Sequence, residues 1–264
     1  MGNRFFLETS PDRSPAYLLV FHGSRDPRPG MAANRLAELV RARLAARQEI
    51  AIARSSPSVA VREREEPPFV ATASLELTEI PLHRQIDRCA RVARERGSSG
   101  LYIIPLFLLR GVHVIEDIRA EVSLARSSFP IEVKPFLGSY PGMIELISRQ
   151  FERFPTTDRI LLSHGSRRAG GCRIVESIAR RVAAVPAYRS IEPSLSSRIE
   201  TCIGNGARSI AILPYFLFPG AITDEIDREI FSLSQKNKNV KFFSGEPLGA
   251  TEELARVIVG ETVR

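Results

Sequence analysis

Continuous apolar runs recur along the chain, and between them apolar residues return every three or four positions. Leu101-Tyr-Ile-Ile-Pro-Leu-Phe-Leu108 is such a run, and its lack of alternation is the pattern of a strand covered on both faces. Leu36, Leu39, Val40 and Leu44 instead share one side of a helix. The pattern predicts strands near 17–21, 69–76, 101–108 and 131–137, and helices near 31–47, 83–97, 113–126 and 141–153. A second series follows with strands near 159–163, 209–217 and 240–244, and no apolar run marks its second strand. Alternating strands and helices predict an α/β fold built from parallel sheets of about four strands, each flanked by helices.

The two series are copies of one another. Tyr17-Leu-Leu-Val-Phe-His-Gly-Ser-Arg25 returns as Arg159-Ile-Leu-Leu-Ser-His-Gly-Ser-Arg167, which sets His22 over His164. Tyr102-Ile-Ile-Pro-Leu-Phe-Leu-Leu-Arg-Gly111 returns as Ala211-Ile-Leu-Pro-Tyr-Phe-Leu-Phe-Pro-Gly220 when Pro105 and Pro214 are aligned. Between them Glu79 to Ile86 matches Glu192 to Ile199, and the same offset places Cys89 over Cys202. Three landmarks in one order imply an internal duplication, with halves at 1–154 and 155–264. Phe154-Pro-Thr-Thr-Asp158 between them is too short a linker for independent domains. The first half is longer by an excess around 48–68, where Arg62-Glu-Arg-Glu-Glu-Pro-Pro68 reads as a solvated loop.

Composition narrows the class. Of 264 residues 44% are hydrophobic and 25% charged, which are globular proportions. No run has the length of a membrane span or a signal-peptide core, so a cytoplasmic protein without membrane contact is expected. Cys89, Cys172 and Cys202 have neither paired nor zinc-finger spacing and read as small apolar residues. The net charge is +7, and 33 of the 37 basic residues are arginine, which suits a polyanionic ligand. Nucleic acid is not an expected partner, because the basic residues are spread without a stacking or helix-turn-helix pattern.

The candidate chemistry lies just past strand ends, where open parallel sheets bind ligands. His22 closes the first strand, Gly23 permits a sharp turn, and Ser24 could hold an anion at the start of the next helix. Pro105-Leu-Phe-Leu-Leu-Arg-Gly-Val-His-Val-Ile-Glu-Asp-Ile118 brings His113 to the same edge. Two imidazoles without a thiolate would hold iron, cobalt, nickel or zinc loosely, as suits a metal in transit. A metal chaperone or sensor, a hydrolase using Ser24, and a polyanion-binding module remain open readings. The hydrolase lacks a Gly-x-Ser-x-Gly elbow.

Together, His22-Gly-Ser-Arg-Asp-Pro27 and the segment from Pro105 to Ile118 resemble the signatures of the sirohydrochlorin chelatases. These are class II tetrapyrrole metal chelatases of sirohaem and cobalamin synthesis, and the chain resembles their long, internally duplicated form. The resemblance implies insertion of Fe²⁺ or Co²⁺ into a carboxylate-rich isobacteriochlorin, with iron favoured because sirohaem is the more widely needed product. It implies that His22 and His113 are the catalytic and metal-handling pair. Glu79, in Leu75-Glu-Leu-Thr-Glu-Ile-Pro81 after the second strand, is a further candidate proton acceptor. Ser24, Arg25, Arg110 and His164 are candidate contacts for the substrate. The metal is a substrate, and no tightly bound cofactor is expected. The second half departs from the pattern, since Ile222 stands where His113 would recur. One site per chain, in a monomer of two pseudo-symmetric halves, is the expectation. His83 reads as a surface residue on a helix.

Overall fold

The computed structural model describes residues 14–55, 66–109 and 112–262, with 51–55 and 112–115 described as backbone only. The first half contains β1 (Ala16–Phe21), α1 (Pro27–Ser55), β2 (Val70–Ser74), α2 (Leu82–Glu95), β3 (Leu101–Pro105), α3 (Val112–Leu124), β4 (Ile131–Val133) and α4 (Gly142–Glu152). The second contains β5 (Arg159–Ser163), α5 (Arg173–Arg181), β6 (Val185–Tyr188), α6 (Leu195–Gly204), β7 (Ser209–Pro214), α7 (Ala221–Lys236), β8 (Lys241–Ser244) and α8 (Glu252–Thr262). Each half forms a parallel four-stranded sheet, ordered β2-β1-β3-β4 and β6-β5-β7-β8. The duplication extends to register, because Val20 faces Pro105 and Leu162 faces Pro214.

The element missing from the sequence pattern is β6, Val-Pro-Ala-Tyr, at one edge of its sheet. Proline is tolerated on an edge, and four residues are too few to show a period. Strands β3 and β7 stop at Pro105 and Pro214, short of the apolar runs that continue to Leu108 and Leu217, because proline lacks the amide a longer ladder needs. Helix α1 is longer than its periodic stretch at both ends. Pro27 opens it, where a missing amide costs nothing, and Arg47-Gln-Glu-Ile-Ala-Ile-Ala-Arg54 carries it into the predicted loop. The predicted loop at 48–68 is therefore helical backbone as far as Ser55, and 56–65 lie outside the described residues.

Three apolar clusters organise the layers. One lies between the outer face of the first sheet and α2 and α3, with Leu18, Ile86 and Ile118 at its centre. Another lies under α6 and α7, around Ile199, Ile210 and Ile226. The largest is shared by both halves and fills the space between the sheets, with Leu19, Leu36, Val40, Phe151, Leu161, Val175 and Ile258 all buried in it. The last helix of each half crosses to the other. Helix α8 packs along α1, while α4 lies against β7, α5 and α8. The Arg159 guanidinium covers the ring of Phe151, 5.5 Å from its centroid. This exchange explains the tight connection after α4, since neither half covers its inner face alone. Truncating a fully buried aromatic such as Phe151 would cost ~3–5 kcal/mol.

Candidate functional site

The ladder between β1 and β2 continues two rungs past the strands. Leu75 N–H donates to the Phe21 carbonyl and Glu76 N–H to the His22 carbonyl, each at 2.9 Å. This backbone pairing makes His22 and Glu76 neighbours at one strand edge. Their side chains follow, with His22 Nδ1 3.8 Å from Glu76 Oε2, and both are more than half exposed at 62% and 56%. Phe107, just past β3, sets its ring against the imidazole with centroids 6.4 Å apart. The carboxylate beside His22 is thus Glu76, where the sequence pattern pointed to Glu79. Glu79 is exposed and makes no hydrogen bond or ion pair with a described residue. The apolar run counted Glu76 into the strand, but β2 ends at Ser74.

His113 lies in the first turn of α3, directly after β3, and is described as backbone only. In sheet order β2, β1, β3, the edge therefore carries Glu76, His22 and then the turn bearing His113. Arg110 lies outside the described residues. Arg25 is exposed in the turn between β1 and α1. Ser24 Oγ accepts the Asp26 amide at 3.0 Å, shaping the turn into α1. No group of three or more His, Cys, Asp or Glu side chains gathers among the described residues. An imidazole with one carboxylate can hold a first-row divalent ion only loosely, leaving positions open for an incoming ligand.

The second half builds the same edge with different chemistry. His164 is exposed at the end of β5, and its carbonyl accepts the Ser190 amide at 3.0 Å, so Ser190 stands where Glu76 stands in the first half. Arg189, the counterpart of Leu75, forms an ion pair with Glu225 of α7 and donates to the Ile222 carbonyl at 3.3 Å. That edge is filled by its own ion pair.

Across the halves, Arg28 of α1 bonds Asp26 at 2.6 Å and Asp224 of α7 at 2.7 Å. Its guanidinium holds both carboxyls below the usual range. His83, expected at the surface, is half-buried, because Glu121 of α3 accepts its amide at 2.7 Å and lies 2.9 Å from its Nδ1. Among the described residues no helix is long and apolar enough to cross a membrane.

The family model described as CbiX matches residues 16–154 and 159–262. The chain belongs to the CbiX family. Both matched segments carry the strand-end histidine that marks the repeat, His22 in one and His164 in the other. A sirohydrochlorin cobaltochelatase of Priestia megaterium is 23% identical over 66% of this chain and 62% of its own length. The chain thus spans less than two thirds of that relative. A sirohydrochlorin ferrochelatase of the same organism is 24% identical over 72% of this chain and 76% of its own. Among solved structures, the sirohydrochlorin chelatase SirB of Bacillus subtilis subspecies spizizenii in complex with cobalt has a TM-score of 0.64 at 21% identity, covering 95% of this chain and 94% of its own. SirB from Bacillus subtilis with Fe³⁺ has a TM-score of 0.70 at 19% identity, with the same coverage. The fold is therefore shared with both SirB structures across nearly the whole chain.

Proposed function

We propose that this protein is a chelatase that inserts a divalent metal ion into sirohydrochlorin, working from the edge formed by His22, Glu76 and the turn bearing His113. The observation that carries the reading is the exposed pair of His22 and Glu76, 3.8 Å apart on neighbouring strand ends. A hydrated ion must lose water before it enters a macrocycle. An imidazole and a carboxylate can replace that water, and so few ligands release the ion again. As the ring nitrogens take the ion, two pyrrole protons leave. Imidazole and carboxylate side chains are general proton acceptors, and His22 and Glu76 place one of each at this edge. Ser24, Arg25, Arg110 and His164 are the candidates for holding the ring's carboxylates. The names of the CbiX-family relatives supply the substrate and both metals. Ferrous iron is the expected ion, as the metal of the more widely needed product. The protein is expected to act as a monomer, with its pseudo-symmetric halves taking the place of two subunits.

Anaerobic mixing with sirohydrochlorin and either Fe²⁺ or Co²⁺, followed by absorption, tests the reading. Conversion of the metal-free spectrum is expected, and it should be lost in His113→Ala. Glu76→Gln should lower turnover by roughly tenfold or more, and Glu79→Gln should not. A wild-type protein that binds the ion but leaves the macrocycle spectrum unchanged is a metal carrier, and the chelatase reading then fails.

A further inference from the structure

A cavity of about 610 Å³ opens between the two halves. Its wall includes Arg119 of α3, Lys134 and Phe136 just past β4, Arg168 and Gly170 of the loop after β5, and Arg173 at the start of α5. Four cationic side chains face it, and no carboxylate is among the residues that line it. Arg119 and Arg173 are exposed, and neither side chain makes a hydrogen bond or ion pair with a described residue. Lys134 Nζ is 2.8 Å from Glu132 Oε1 and 3.7 Å from the centroid of the Tyr102 ring.

The duplication supplies an internal comparison. Lys134 N–H donates to Ile103 and Gly245 N–H to Ile212, at structurally equivalent rungs, so Lys134 corresponds to Gly245. Counting from His22 and His164, Asp26 corresponds to Arg168 and Arg28 to Gly170. Counting from Pro105 and Pro214, Asp224 corresponds to Ile115 and Arg228 to Arg119. At one junction of the halves Asp26, Arg28 and Asp224 form a clasp. At the other the same three places hold Arg168, Gly170 and Ile115, and the junction stands open and basic. A side chain at Gly170 would meet Arg173 Nε at 3.2 Å, so the glycine leaves room for that guanidinium. The exposed guanidinium groups of Arg119 and Arg173 are matched by carboxylates held through paired N–H bonds.

We infer that this pocket receives carboxylate groups of a polycarboxylate ligand. Resting on the function proposed above, these are peripheral carboxylates of the sirohydrochlorin whose ring centre lies over His22. The six residues from His113 to Arg119 rise about 9 Å along α3, so one macrocycle can reach both places.

The test replaces Arg119 and Arg173 together by glutamate, with Arg228→Glu as the control at the equivalent place in the second half. Thermal melts confirm folding, which exposed positions should preserve. With Co²⁺ at low salt, the KM for sirohydrochlorin should rise roughly tenfold or more in the double variant, with kcat and the KM for Co²⁺ within about twofold. The difference should shrink at high salt, and Arg228→Glu should leave KM unchanged. An active, folded double variant with unchanged KM for sirohydrochlorin overturns the assignment and leaves the chelatase reading standing. If the wild-type protein inserts no metal, the chelatase reading fails and calorimetry with benzenehexacarboxylate in metal-free buffer decides for the pocket. Binding that the double variant loses upholds the pocket, and equal binding or none overturns it.

Discussion

Gly23 and Glu76 lie so close that a Cβ built on Gly23 would stand 2.0 Å from the Glu76 carbonyl oxygen. The glycine also has φ +99°, a conformation that side chains disfavour. Both facts concern the turn that sets His22 beside Glu76, so the site is coupled to one residue without a side chain. Gly23→Ala should force the ends of β1 and β2 apart. We expect a stability loss of ~1–3 kcal/mol and a larger loss of metal insertion, roughly tenfold or more. Thermal melts and sirohydrochlorin turnover measure the two. Normal turnover in the variant would show that the pairing of His22 with Glu76 is dispensable.

His22→Ala and His164→Ala are the same chemical change at equivalent positions of the repeat. The first should lower turnover by about a hundredfold or more, as for loss of a proton-accepting or ligating group. The second should change it by less than about threefold, because Ser190 and Ile222 replace Glu76 and His113 around His164. The His164 carbonyl keeps its bonds from the Ser190 amide and hydroxyl in either case, so melting should be unaffected. Equal losses in two folded variants would mean that both halves serve one cleft, and the single-site reading would be abandoned.

The clasp of Asp26, Arg28 and Asp224 gives a pH dependence with a definite sign. Arg28 lowers both carboxyls from the ordinary value of 3.8, chiefly through its side-chain hydrogen bonds. A carboxyl with a depressed folded-state pKa contributes stability that is fully present above its unfolded value and is lost as pH falls through the folded one. The melting temperature of the wild type should therefore exceed that of Arg28→Ala at about pH 6, and the gap should narrow as pH falls below about 4. A gap that does not change with acid would mean that the pair adds nothing to the junction.

Much of the fold was legible because its signals are local. Apolar patterning marked seven of the eight strands, and the repeated His-Gly-Ser and proline landmarks marked the duplication, which recurs in the register of β1 on β3 and of β5 on β7. Edge strand β6 escaped because its four residues include Pro186 and show no period. Glu79 was preferred to Glu76 for a similar reason, since the end of a parallel strand is set by pairing with its neighbour and not by hydrophobicity.

The sequence by itself determined the duplication, the α/β class, the placement of His22 at a strand end, and the loss in the second half of a histidine at position 222. These are properties of residue order and local periodicity. Only the tertiary structure decided that Glu76 meets His22, that α4 and α8 change places, and that one junction is clasped by Arg28 while the other stays open beneath Arg119 and Arg173. Arg28 and Asp224 lie 196 positions apart, and such contacts form only when both sheets have folded against their shared core. No local pattern in the chain encodes which distant charges that core will bring together.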